Sequence, residues 1–310
     1  MEERVIDFEN RQALRRERRR KELRRARFLC GVVWVLAIAG MTVLGRELFF
    51  MFRQVSPLPD ASGYKAVEPA GGGQVNIIQT PPDGETLQAL RELAAQDERV
   101  QDVIDRCRDY PEDLLKMLSR NPDMLDFVLD YPEKRGQVFA DTIGEVEAGE
   151  IPLLLQYDPR WGYGDYGASS VVVSGCGPAC LSMVAAGLTG DDAITPYAVA
   201  QYADREGYYV HGAGTSWSLM SRGAAHFGVE GEELPLMKSK MESALEEGRP
   251  IICVVGPGDF TTSGHFIVIT GMRDGQFTVN DPNSTQRSNL LWDYETLEPQ
   301  ISNLWAFRAM

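Results

Sequence analysis

The sequence has 310 residues, 44% hydrophobic and 25% charged, a globular composition that is neither disordered nor collagen-like. Five cysteines and three histidines argue against a disulfide scaffold, a zinc ribbon or a histidine-based metal centre. The formal net charge of -14 argues against a protein that coats nucleic acid.

That average conceals two opposite parts. Residues 1–27 hold 11 Lys/Arg against 6 Asp/Glu, a net of +5, whereas residues 54–310 hold 18 against 38, a net of -20. Such asymmetry addresses two different environments. Residues 28–45 are 18 uncharged, mostly apolar positions, and the stretch reaches 25 if it continues past Arg46 and Glu47 to Phe52. A bilayer core needs roughly 20 helical residues. The long basic region, and the lack of an A-x-A site after the apolar core, favour an uncleaved anchor over a secretory signal. The run from Arg15 to Lys21 is better read as a topology signal than as a nucleic-acid-binding arm, because basic segments beside a span stay cytoplasmic. The expectation is a cytoplasmic tail at 1–27, a single-pass signal-anchor in the cell membrane at 28–52, and everything after residue 53 extracytoplasmic.

Residues 53–82 carry five prolines and the Gly71-Gly72-Gly73 run without a sustained hydrophobic period, and read as a flexible stalk. Residues 83–149 read as a small helical segment, with Leu87, Leu90 and Leu93 on one face. Within it Tyr110-Pro111-Glu112, Asn121-Pro122-Asp123 and Tyr131-Pro132-Glu133 each place Pro where a helix would begin, with an acid in the first turn. These starts are too closely spaced for a solenoid. A collar packed on the next domain is the preferred reading, and a peptide-docking surface the alternative.

From residue 150 to 310 helices and strands mix. The pattern predicts a strand at 151–155 and helices at 178–187, 195–207, 215–227 and 238–247. Strands follow at 250–255, 266–270 and 276–280, with 305–308 closing the sheet. Helices first and antiparallel strands later indicate an α+β domain.

The chemistry concentrates in Ser174-Gly175-Cys176-Gly177-Pro178-Ala179-Cys180. Cys176 is predicted just before a helix N-terminus, where free amides and the helix dipole favour a thiolate. The dipole supplies about 0.3–2 kcal/mol, too little to ionise a thiol fully at neutral pH, so a second cation is needed. An imidazolium is the usual supplier. His226 falls late in an amphipathic helix and reads as structural. His265, after Gly264 at the mouth of a buried strand, is the best base by location, with His211 in a Gly-rich loop second. Asn280-Asp281-Pro282, at the next strand end, offers a group to orient the ring. A Cys176–Cys180 disulfide is the alternative, but cysteines four apart on one helix seldom meet disulfide geometry. Cys253 reads as inert core, Cys107 as a small partly buried residue, and Cys30 belongs to the span. Trp161 and Trp217 read as buried aromatics, with a groove lining as the other possibility.

Gly175-Cys176-Gly177-Pro178, Gly264-His265-Phe266-Ile267-Val268 and Val279-Asn280-Asp281-Pro282 together resemble the papain-like bacteriocin-processing cysteine peptidases, family thirty-nine of the cysteine peptidases. The closer resemblance is to its secreted or membrane-anchored relatives without a transporter. Gln156-Tyr157-Asp158-Pro159-Arg160-Trp161 and Tyr166-Gly167 match the segment such relatives carry ahead of the cysteine. The resemblance covers residues 150–310. It implies a papain-like fold, a peptide or protein substrate and no cofactor. It makes Cys176 the nucleophile, His265 the base and then acid, and Asp281 the orienter. Gln156 would donate its amide to the oxyanion beside the backbone N–H of Cys176. Asp281 is preferred to Asn280 because its charge stabilises an imidazolium and Pro282 fixes where the strand ends. Two rivals stand: a thiol hydrolase of cell-wall peptides, and a catalytically silent binding module on a stalk.

Overall fold

The computed structural model describes residues 82–310. The expected tail, membrane anchor and all but the last residue of the stalk lie outside them. Among the described residues no helix is long and apolar enough to cross a membrane.

Four short helices come first: α1 (Gly84–Ala94), α2 (Val100–Asp105), α3 (Glu112–Arg120) and α4 (Leu125–Lys134). The side chain of Asp83 caps α1 by accepting from Thr86 N at 2.7 Å. Pro111 precedes α3, whose first turn holds Glu112 and Asp113. Pro122 opens a 3-10 turn that runs straight into α4. The third Pro differs from expectation. Pro132 sits inside α4 and starts nothing; it removes one i→i−4 hydrogen bond from the last turn, and the helix ends two residues later. The helical pattern also stops at Lys134 and does not run on to 149. Gly136, Gly144 and Gly149 all have positive φ in the irregular stretch that follows.

Leu90, Leu114, Leu115, Leu118 and Val128 are fully buried. Their cluster also takes in Tyr157, Tyr163 and Val172 from further along the chain. Phe127 of α4 stacks on Tyr163 with ring centroids 4.0 Å apart and planes 4° apart. The helices therefore have no closed core of their own. Phe127→Ala should cost about 3–5 kcal/mol of stability in urea unfolding. A loss below about 1 kcal/mol would show that the stack is a surface contact.

Two small hairpin arms, β1 (Asp165–Tyr166) and β2 (Ser169–Ser170), lead to a one-turn helix, α5 (Val171–Ser174). Next come α6 (Cys176–Thr189) and α7 (Pro196–Arg205). Thr195 caps α7 by accepting from Ala198 N, and Pro196 takes its first position. Helix α6 is buried without a break from Gly177 to Gly187, as expected of a helix apolar on every side. The stretch at 215–227 is not one helix. It divides into a hairpin of β3 (Tyr209–Val210) and β4 (Gly214–Thr215), the one-turn α8 (Ser218–Ser221) and a 3-10 turn at Gly223–Phe227.

The main sheet uses β5 (Val229–Glu233), β6 (Ile251–Val255), β7 (His265–Arg273), β8 (Gln276–Asn280), β9 (Leu291–Trp292) and β10 (Ile301–Ala309). Its order is β5-β10-β6-β7-β8-β9 and every pairing is antiparallel. The last strand is longer than 305–308 and lies inside the sheet, with β5 outside it. Strand β5 escaped the sequence reading because Glu230, Glu232 and Glu233 leave it almost no apolar pattern. Period-two alternation sorts β6 between the two faces. Ile252 and Val254 face the cluster around α6, and Ile251, Cys253 and Val255 face a second cluster. The second is closed by Met241 and Ala244 of α9 (Lys238–Glu246). The architecture is α+β, a mixed helix and antiparallel-sheet body.

Residues 151–155 form no strand. Pro152 has no N–H to give a ladder. The carbonyls of Ile151 and Pro152 accept instead from the Asn280 side chain at 3.2 and 3.1 Å, and Gln156 N donates to Pro282 O at 2.8 Å.

Candidate active site

Cys176 is the first residue of α6, one position inside the helix rather than just before it. Its flanking glycines are dictated by close contacts. A Cβ on Gly175 would lie 2.4 Å from Val171 O, and one on Gly177 would lie 2.8 Å from Thr215 Cβ. Both neighbours must lack a side chain for the helix to start here. At this first turn the backbone amides have no acceptor inside the helix. Cys176 is half-buried and its thiol is free, as is that of Cys180, which faces the core.

His265 opens β7 opposite Val255, and Asp281 follows the last residue of β8. Adjacent strands thus deliver both side chains to the same edge. His265 Nε2 donates to Asp281 Oδ1 at 2.8 Å, and the ring also hydrogen-bonds Cys176. Asn280, the other candidate orienter, points to Ile151 and Pro152. Asp281 also begins a turn: Asn283 N donates to its Oδ1 at 2.7 Å, and Asp281 N donates to Ser288 Oγ at 2.9 Å. Its second oxygen, Oδ2, accepts from Arg287 Nε at 2.5 Å. Arg287 lies on α10 (Thr285–Ser288), capped by Ser284. No motif announced Arg287; its only signal was a cation six residues after Asp281.

Charges alternate along this row. Burial opposes ionisation of Cys176, but the His265 ring and the backbone N–H groups of Phe266 and Gly177 hold its thiol below the usual cysteine range. Burial likewise opposes the imidazolium, yet the Asp281 carboxylate and Cys176 push His265 up to about 10. Burial would raise Asp281, which is fully buried; His265 and Arg287 outweigh it and hold the carboxyl below its ordinary range. Burial alone raises Cys253, and burial with the nearby Cys176 raises Cys180, so neither is a ready nucleophile.

Gln156 is 20 residues before Cys176 in sequence, and both line the same cleft. The intervening chain loops out and returns, with Val171 N donating to Gly164 O and Val172 N to Gly162 O. Gln156 Nε2 then donates to Val172 O at 2.5 Å. Its Oε1 is buried without a hydrogen-bond partner.

A cleft of about 1070 Å³ contains Cys176, His265 and Gln156 on its lining. His211 lines it too, exposed on the loop between β3 and β4. Trp217 also lines it, 45% exposed and edge-on to Trp305. Trp161 is buried in the core, its indole N–H donating to Leu155 O, and His226 stacks on Tyr202. Among the described residues no group of three His, Cys, Asp or Glu side chains is arranged to hold a metal ion.

Comparison with curated proteins returns no match. Similar solved structures include two peptidase domains. One is the peptidase domain of Streptococcus ComA, described as a bi-functional ABC transporter involved in a quorum sensing pathway. It is 21% identical, with 44% of this chain and 93% of that chain covered and a TM-score of 0.35. The other is described as a C39-like peptidase from Bacillus anthracis. It is 13% identical, with 54% of this chain and 99% of that chain covered and a TM-score of 0.35. Residues 149–307, just over half of the sequence, match the Peptidase_C39 like family, and the chain belongs to that family.

Proposed function

We propose that the protein is a cysteine peptidase anchored in the cell membrane by residues 28–52, with residues 150–310 acting outside the cytoplasm. The observation that carries the peptidase reading is the row Cys176, His265, Asp281, Arg287, in which each group faces one of opposite charge. The anchor rests on the sequence alone, on the apolar stretch and the +5 and -20 parts that flank it.

In this reading the Cys176 thiolate attacks the carbonyl carbon of a peptide bond. The negative charge moves to the carbonyl oxygen, where the Cys176 N–H and the second amide hydrogen of Gln156 would stabilise it. The His265 imidazolium gives its proton to the leaving amine as the C–N bond breaks, which leaves an acyl-enzyme thioester and a neutral ring. Water then attacks the thioester with His265 as base, releasing the acid and restoring the thiolate–imidazolium pair. Asp281 holds the ring and stabilises its charge. Arg287 offsets the buried carboxylate so that it stays ionised.

Thiol labelling tests this. A peptide-based thiol electrophile at near-stoichiometric dose should modify Cys176 while sparing Cys180 and Cys253, read by peptide mass mapping. Preferential modification elsewhere would refute the assignment of the nucleophile.

A further inference from the structure

The cleft that contains Cys176 is not built from the family-matched region alone. Asp113, Lys116, Met117, Arg120 and Asn121, all on or just after α3, line it as well. Three hydrogen bonds fix this stretch against the segments that carry the site. Arg120 Nη1 donates to Thr262 Oγ1 at 2.9 Å, in the loop that leads into His265. Asn121 Nδ2 donates to Asn283 O at 2.7 Å, and Thr285 Oγ1 donates to Asp123 Oδ2 at 3.0 Å, both beside the Asp281 turn. A wall held at two places on the reaction site is rigid enough to select among ligands.

Two of the three Lys and Arg side chains on the cleft lining are paired with carboxylates. Lys116 lies 2.6 Å from Glu112, and Arg287 is held by Asp281. Among the anions, Asp259 is exposed and accepts only from the neutral amide of Gln300 at 2.7 Å, so it keeps its charge. Arg120 is exposed, and among the described residues its guanidinium pairs with no carboxylate and donates to the hydroxyl of Thr262. Asp113, on the same wall, is two turns back along α3, roughly 10 Å away at helical rise. A peptide threaded past Cys176 thus meets one uncompensated cation, whose planar fork suits a carboxylate. We propose that the end of α3 is a substrate-binding wall and that Arg120 seats an acidic side chain of the peptide. This deepens the peptidase reading and rests on it.

The test uses the full-length chain and an internally quenched peptide library carrying Glu, Gln or Lys at each position around the scissile bond. At one position the Glu peptide should be cleaved about fivefold better than its Gln twin, the scale of one solvent-facing ion pair. Arg120→Gln should erase that preference and Arg120→Glu should turn it toward Lys. Alkylation of Cys176 by neutral iodoacetamide should stay within about twofold in both variants, and their far-UV circular dichroism should match the parent. A preference for Glu that survives Arg120→Glu overturns the proposal. So does an alkylation rate that falls in step with cleavage, since Arg120 would then act on the site and not on the peptide. If the parent chain is alkylated at Cys176 but cleaves no member of the library, the peptidase reading itself fails. That outcome is recognised by absent turnover before any variant is compared.

Discussion

Replacing Cys176 with Ala should lower kcat/KM for peptide hydrolysis by about 10⁴-fold or more, leaving the fold intact. Loss of the nucleophile from a group that acts as a unit removes nearly all the catalysis the unit provides. Cys176 is half-buried and Ala removes only its sulfur, so the packing loss is small beside this. The same exchange at Cys180 or Cys253 should instead register in stability, because both thiols are fully buried. Steady-state kinetics beside urea unfolding separates the two effects. Turnover by Cys176→Ala within tenfold of the parent would move the chemistry to another residue.

Asp281→Ala should cost about 10² to 10⁴ in kcat/KM and narrow the pH range of activity from both sides. The direction follows from the shifts. Hydrolysis needs Cys176 deprotonated and His265 protonated. In the parent this holds from the lowered value of Cys176 up to about 10, where His265 loses its proton. Removing the carboxylate leaves burial to press against the imidazolium, so the alkaline limb moves down. A weaker imidazolium stabilises the thiolate less, so the acid limb moves up. Other groups face this centre: Arg287 from α10, and Tyr157 and Cys180, each close enough to feel Asp281. None of these replaces a hydrogen-bonded carboxylate at 2.8 Å. Asn280→Ala should leave both limbs in place, since its amide serves the 151–152 carbonyls. A profile that falls in height without moving would show that Asp281 only shapes its turn.

Much of this site was legible in residue order because each member sits at an element end with its own local signal. A cysteine between glycines before a run of small apolar residues marks a helix start. A histidine after Gly264 and before Ile, Val and Ile marks a strand mouth, and Asn280-Asp281-Pro282 marks the next strand's end. The α+β body followed from helices preceding apolar strands. What escaped depends on contacts between distant residues. Arg287 gains its meaning only once α10 folds back over Asp281. Gln156 was placed in the site by the resemblance alone, and its tie to Val172 exists only once the loop between them closes. The apolar run at 151–155 mimics a strand, but Pro152 and the side chain of Asn280 claim its carbonyls. Strand β5 is the reverse case, an acidic segment made a strand by pairing with β10.

The shared core around Phe127 and Tyr163 separates two boundaries that are easily confused. The family begins at residue 149. The folding unit does not, because Tyr157, Tyr163 and Val172 share one buried cluster with Leu114, Leu118 and Phe127. Cut at 149, the remainder would present those aromatic faces to water together with the amide-anchored turn that carries Asp281. Loosening of α3 and α4 would therefore be felt at the carboxylate as well as at the cleft wall, and the helices and the thiol site share one cooperative fate.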